Sequence, residues 1–160
     1  MHTEQRADGW VMHVETEVVD GDARAHHRLL NAKGQCVAEG ETALHVAAPH
    51  LWSCRDPYIY TLETRLGGEV LYQNVGFRTL RFDPDEGLFL NGEHVKLHGV
   101  CLHHDLGALG AAFHEKAARR QLQTMKDMGA NALRTAHNPP AGACRCVLAG
   151  TLCGEVNVPL

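Results

Sequence analysis

The chain has 160 residues, 44% of them hydrophobic, and a formal charge of −4, enough for one ordinary core or for a small domain plus part of another. That balance, with no run of about five or six basic residues, excludes a general attraction to nucleic acid or anionic membrane surfaces. No apolar run approaches the ~18 residues of a membrane span, and Met1 to Trp10 is polar rather than signal-like, so the sequence as it stands reads as cytoplasmic.

In chain order, residues 10–19 put Trp10, Met12, Val14, Thr16 and Val18 on one face and His13, Glu15 and Glu17 on the other. This alternation predicts a half-buried strand. Asp20-Gly21-Asp22 is a turn, and His26 to Leu30 is a second extended run closed by Asn31-Ala32-Lys33-Gly34. Gln35 to Glu39 and Glu41 to Val46 follow as strands with Gly40 between them, then Tyr58 to Leu66 and, after Gly67-Gly68, Glu69 to Tyr72. Short strands spaced by turn signals, without helical periodicity, predict an antiparallel β-sandwich over residues 1–80.

The pattern changes near Gly76-Phe77-Arg78-Thr79-Leu80. Phe89-Leu90-Asn91-Gly92-Glu93-His94-Val95 carries a two-residue hairpin signal, because Asn-Gly readily takes the positive φ values of a type I′ turn. Lys96 to Leu102 is a mostly apolar strand suited to burial on both faces. From Glu115 to Met128 the apolar residues Ala118, Leu122, Met125 and Met128 recur at helical spacing, with Gly129 as the stop. Ala130 to Ala136 returns to a strand, which makes a βαβ unit with parallel strands. Residues 141–160 carry only Arg145 and Glu155 as charges and show no periodicity. They are expected to be a non-native or disordered tail.

The six cysteines, at 36, 54, 101, 144, 146 and 153, form no Cys-x-x-Cys pair and read as free thiols. Most of the twelve histidines, among them His2, His13, His26, His27 and His50, stand in polar surroundings and read as ordinary surface or half-buried residues. Two others do not. Gly99-Val100-Cys101-Leu102-His103-His104-Asp105 and Arg134-Thr135-Ala136-His137-Asn138-Pro139-Pro140 each read as a strand ending in polar, proton-handling side chains. In parallel α/β sheets and barrels ligands collect at the carboxyl ends of strands, so two such ends one helix apart suggest half a binding pocket.

Several of these motifs together resemble glycoside hydrolase family 2, the family of β-galactosidases, β-glucuronidases and β-mannosidases. Pro49-His50-Leu51-Trp52-Ser53 with Pro57-Tyr58-Ile59-Tyr60-Thr61-Leu62, then Gly76-Phe77-Arg78, resemble runs of its immunoglobulin-like sandwich. Phe89-Leu90-Asn91-Gly92 is similar to the hairpin that opens its (β/α)₈ barrel. Gly99 to Asp105 with Gly107-Ala108-Leu109-Gly110 is similar to the loop after the first barrel strand, and Arg134 to Pro140 to the end of the second. The match runs from about residue 10 to 141 in the family's order, and His-His-Asp-x-Gly-Ala-x-Gly with Arg-Thr-x-His-Asn-Pro-Pro point to the β-galactosidase-like branch.

The resemblance implies a multidomain β plus α/β protein. An immunoglobulin-like antiparallel β-sandwich over 1–80 would be followed by the truncated start, strand, helix and strand, of a (β/α)₈ barrel over 81–140, and by the tail 141–160. It implies a carbohydrate substrate, a β-glycoside; no cofactor or metal is assigned to these residues, nucleic acid and membrane are not expected from the charge, and a homo-oligomeric full-length parent and a metal near its catalytic acid stay open. By the same carry-over His103, Asp105, His137 and Asn138 are candidate substrate-binding residues. Imidazoles can donate to or accept from sugar hydroxyls, contacts that strengthen as the ring flattens toward an oxocarbenium-like state. Asp105 either bonds the sugar or ties its loop, Asn138 either touches ligand or shapes the turn before Pro139, and Arg134 is expected to face the barrel interior.

Retaining hydrolysis needs two carboxyl groups about 5–5.5 Å apart, which the family supplies as glutamates on later barrel strands, the first following an asparagine. After the second strand this chain offers only Glu155, so no catalytic residue is assigned and the chain alone is expected to be inactive. A frameshift or misplaced gene boundary near Ala143 would account for the tail. Two other classes fit parts of the sequence: a metal site, from His103-x-Asp105 with His137 or from Cys144-x-Cys146 with Cys153, and a noncatalytic sugar-binding or structural sandwich in which Trp10 and Trp52 stack on sugars instead of filling the core.

Overall fold

The computed structural model describes residues 1–19, 23–103 and 105–136, and the backbone of 153–155. The chain divides into two compact units, Met1–Trp52 with Tyr58–Thr79, and Ser53–Pro57 with Leu80–Leu160.

The first unit contains β1 (His2–Arg6), β2 (Gly9–His13), β3 (His26–Leu30), β4 (Cys36–Gly40), β5 (Ala43–Val46), β6 (Tyr60–Leu66) and β7 (Glu69–Val75). They form two antiparallel sheets, ordered β1-β2-β5 and β4-β3-β6-β7. Alternation sends Trp10, Met12, Leu44 and Val46 from the first sheet and Leu29, Tyr60, Leu62 and Val75 from the second into one core. Phe77 completes it, fully buried and edge-on to Trp10 and Tyr60 at centroid distances of 5.7 and 5.3 Å. The strand predicted over 10–19 is shorter than its pattern. It ends at His13; Val14 N–H still donates to the Thr42 carbonyl at 2.9 Å and Val14 stays in the core, but beyond it residues 15–19 are unpaired and Thr16 is exposed. β1 was invisible to periodicity, since as a polar edge strand it buries almost nothing.

Two motifs separated in sequence meet here. Trp52 N–H donates to the Phe77 carbonyl at 2.8 Å, and Leu51 bridges Phe77 in parallel. A Cβ at Gly76 would stand 3.2 Å from Trp52 Cβ, so the glycine lets the indole lie against the backbone. The Arg78 guanidinium covers the indole at 4.8 Å, a cation–π contact, and burial pulls its pKa below the ordinary arginine value. Trp10 and Trp52 are 5% and 3% exposed, so neither is open to stack on a sugar.

Two of the residues read as ordinary prove otherwise. His27 is fully buried, because alternation in β3 places it on the same inward face as Leu29. Cys36 and Cys101 are free thiols as expected, whereas Cys54 is disulfide-bonded, which corrects the reading of all six as free.

In the second unit β8 (Leu80–Asp83), β9 (Gly87–Leu90) and β10 (Glu93–Val95) form an antiparallel sheet ordered β10-β9-β8. The Asn91-Gly92 turn has φ of 52° and 81°, both positive as a type I′ hairpin requires. β11 (Gly99–His103), α1 (Glu115–Asp127) and β12 (Ala132–Ala136) then make the strand–helix–strand unit, with β11 and β12 parallel. α1 buries Ala118 and Leu122 and stops at Gly129, whose φ is 93°. Met128, counted on the apolar face from its spacing, is 70% exposed. Each step of three residues falls about 60° short of a full turn, so by Met128 the stripe has rotated off the face of Leu122. A third strand, β13 (Cys153–Glu155), pairs parallel with β12; the rest of the predicted tail, Ala141 to Leu152 and Val156 to Leu160, lies outside the described residues.

Candidate functional site

The βαβ unit has two distinct faces. Val100 and Leu102 of β11 pack with Leu133 of β12 against Leu122 and Met125 of α1, so the alternate residues turn away from the helix. Those are Gly99, Cys101 and His103 on β11, and Ala132, Arg134 and Ala136 on β12. The parallel register sets them side by side: Gly99 beside Ala132, Cys101 beside Arg134, His103 beside Ala136. Cys101, His103 and Arg134 are exposed on this face. In a closed barrel with helices outside, the face away from the helix is the interior, and the carboxyl end of each strand is the end that meets ligands.

His103 is the last residue of β11 and thus stands at that end. Asp105 follows closely, its N–H donating to the His103 carbonyl at 2.8 Å and its Oδ1 accepting from Gly107 N–H at 2.9 Å. One carboxylate oxygen therefore ties the loop, which continues into a 3₁₀ turn at Gly107–Leu109. His137 and Asn138 are the next residues in sequence after Ala136 and lie outside the described residues, as does His104. The structure places His103 and Asp105 together and Ala136 beside His103.

Two residues that spacing did not single out organise this unit. Gln121 on α1 donates from Nε2 to the Asp105 carbonyl at 3.1 Å, fastening the loop to the helix. At the opposite end of the strands Asn131 accepts from His98 N–H at 2.7 Å, donates from Nδ2 to the Lys96 carbonyl at 2.9 Å, and donates its own N–H to the His98 carbonyl at 3.0 Å. It binds the entrances of β11 and β12 to each other. An amide side chain within the otherwise apolar opening of the run Ala130 to Ala136 was the available signal for Asn131; Gln121 had none, because exposed helix faces are polar anyway.

Among the described residues, no group of three or more His, Cys, Asp or Glu side chains is placed to hold a metal ion. His137, Cys144 and Cys146, which the metal readings need, are outside them.

The family model for glycosyl hydrolases family 2 matches residues 7–78, and that for the glycosyl hydrolases family 2 TIM barrel domain matches residues 84–145. The chain belongs to glycoside hydrolase family 2. It is 47% identical over 103 residues to the β-galactosidase BoGH2A of Bacteroides ovatus, an alignment covering 61% of this chain and 12% of the relative. It is 39% identical over 104 residues to a β-glucuronidase of Bacteroides fragilis, covering 61% of this chain and 15% of that protein. A solved β-glucuronidase of Ruminococcus gnavus superposes with a TM-score of 0.83 at 29% identity, covering 94% of this chain and 26% of the other. The chain thus spans about an eighth of the length of curated family 2 relatives, across a β domain and the start of the barrel.

Proposed function

We propose that this chain is the sandwich and first barrel strands of a retaining, exo-acting β-glycosidase of the β-galactosidase type, in which it supplies part of the sugar-binding wall. The observation that carries this reading is the placement of His103 at the carboxyl end of β11, on the face away from α1 and in register with the last residue of β12. Its imidazole would hydrogen-bond hydroxyls of the sugar being cleaved, together with His137 and Asn138, while Asp105 shapes the loop and offers its second oxygen. The residues carry no acid/base or nucleophile, so bond cleavage belongs to glutamates supplied by the remainder of the barrel. The β domain is read as immunoglobulin-like. The galactosidase reading rests on the His-His-Asp and Arg-Thr-x-His-Asn-Pro-Pro motifs and on the 47% identity to a β-galactosidase, against 39% to a β-glucuronidase.

The test is to assay the 160-residue chain beside a version extended through the next reading frame from about Ala143, against chromogenic β-galactosides, β-glucuronides and β-mannosides. Activity is expected from the extended form alone, on β-galactosides first. His103→Ala in that form should lower kcat/KM about 10- to 100-fold, the loss of one or two hydrogen bonds to the transition state. Hydrolysis by the 160-residue chain itself, or an extended form whose kcat/KM ignores His103, refutes the reading.

A further inference from the structure

The sandwich holds a groove of about 740 Å³ whose walls include His13, Thr16, Val18, Arg24 and Glu41. One wall is the connector that leaves β2. Among the described residues, Glu15–Val19 has a single hydrogen bond to the rest of the fold, between Thr16 Oγ1 and His27 Nε2 at 3.3 Å. The other ring nitrogen, Nδ1, lies 2.9 Å from Thr64 Oγ1 on β6. Thr16 is exposed and His27 has no exposed surface at all. A buried imidazole therefore pins a surface segment.

Among the described residues, no carboxylate faces that ring. On β3 itself His26 and Arg28 lie on the other face, with Arg28 bonded to Glu63 at 3.1 Å. From β4, Gly40 stands opposite His27 while Glu39 is one position along, facing outward; from β6, Thr64 stands opposite while Glu63 and Arg65 face outward. Glu15 and Glu17 flank Thr16 at the surface. In the facing sheet His13 is paired with Glu4 at 3.4 Å and His45 is exposed, and Arg24 meets Glu41 at 3.5 Å in solvent.

A neutral ring suits two hydroxyls, donating through one nitrogen and accepting through the other. The imidazolium has two donors and no acceptor, so whichever threonine donates to the neutral ring would have to turn and accept, and nothing replaces the lost hydration. Burial, then the neighbouring His26, hold the pKa of His27 below the ordinary histidine value. Swinging the Thr16 segment outward lets water reach Nε2–H and relieves that cost.

We propose that His27 is an acid-released latch: protonation frees Glu15–Val19 from the sheet and opens the groove that this segment lines. By linkage, a lowered folded pKa means the latch is fully closed above about pH 6.5 and weakens as pH falls through the window below it, where the open form binds the extra proton.

Cleavage of the full 160-residue chain after Glu15 and Glu17 by a glutamate-specific protease, from pH 8 to 5 and normalised at each pH to a free peptide of residues 13–20, reads this directly. The normalised rate should rise several-fold toward pH 5. His27→Gln, which can still bridge two hydroxyls but does not titrate, should hold the rate level across the range. Thr16→Val, a surface change that leaves the core intact even if the glutamine variant fails to fold, should leave the segment fast-cleaved at every pH. A level profile in the unmodified chain, or an unchanged pH slope in Thr16→Val, overturns the proposal.

Discussion

Phe77 shows how much of the sandwich rests on a single residue. It is fully buried, takes two aromatic rings edge-on and, through its carbonyl, holds Trp52. Phe77→Ala should destabilise the chain by about 3–5 kcal/mol, the usual cost of deleting a buried phenyl and leaving a cavity. Urea unfolding followed by tryptophan fluorescence measures it, since Trp10 and Trp52 border the site. Gly76-Phe77-Arg78 was legible as a motif, but its meaning was not: a triplet cannot announce that its phenyl fills one core while its arginine stacks on an indole some 25 positions earlier in the sequence. His27 makes the same point from the other side. Its polar neighbours in sequence suggested the surface, and only the alternation of a paired strand turned it inward.

Between elements, the pairing of β3 with β6 carries an ion cluster on the outer face. Glu63 is 4% exposed and accepts from Arg65 at 2.8 Å and from Arg28, its cross-strand partner, at 3.1 Å. The hydrogen bond from Arg65 first, with Coulombic attraction and the bond from Arg28 behind it, outweighs burial and holds the Glu63 carboxyl below the usual range. A lowered carboxyl pKa stabilises the fold above the unfolded value, near 4.5, and that contribution is lost as pH falls through the folded value. Glu63→Gln should therefore lower Tm at pH 7 and flatten its decline between about pH 5 and 3; calorimetry across that range would check it, and parallel curves for the two proteins would remove Glu63 from the account. The βαβ unit was the most readable element, because its 3.6-residue helical stripe lies between two apolar strands. Its faces follow from the register, whereas Met128 is turned into solvent by the 3.6-residue helical turn, which the three-residue spacing falls short of.

For the whole molecule, the two units differ in how completely they bury themselves. Exposed apolar side chains occur in both, but the seven-stranded unit gathers buried apolar side chains from both sheets in one core, whereas among the described residues the core cluster between α1 and its strands has only Leu122 and Leu133 buried, with Val100, Leu102 and Met125 partly so. Amides of β2, β3 and β6 should accordingly exchange most slowly at pH 7, and those of β11 and β12 much sooner; equal protection in both units would contradict this ordering. The family, the parallel strands and the hairpin were written in the residues, since local periodicity, Asn-Gly chemistry and motif order do not depend on distant contacts. Side-chain surroundings do. That Trp10 and Trp52 are core, that Asp105 ties its own loop, that Asn131 clasps two strand entrances and that His27 is sealed between hydroxyls were decided by tertiary structure alone, because each depends on partners brought close by pairing and packing rather than by neighbouring positions along the chain.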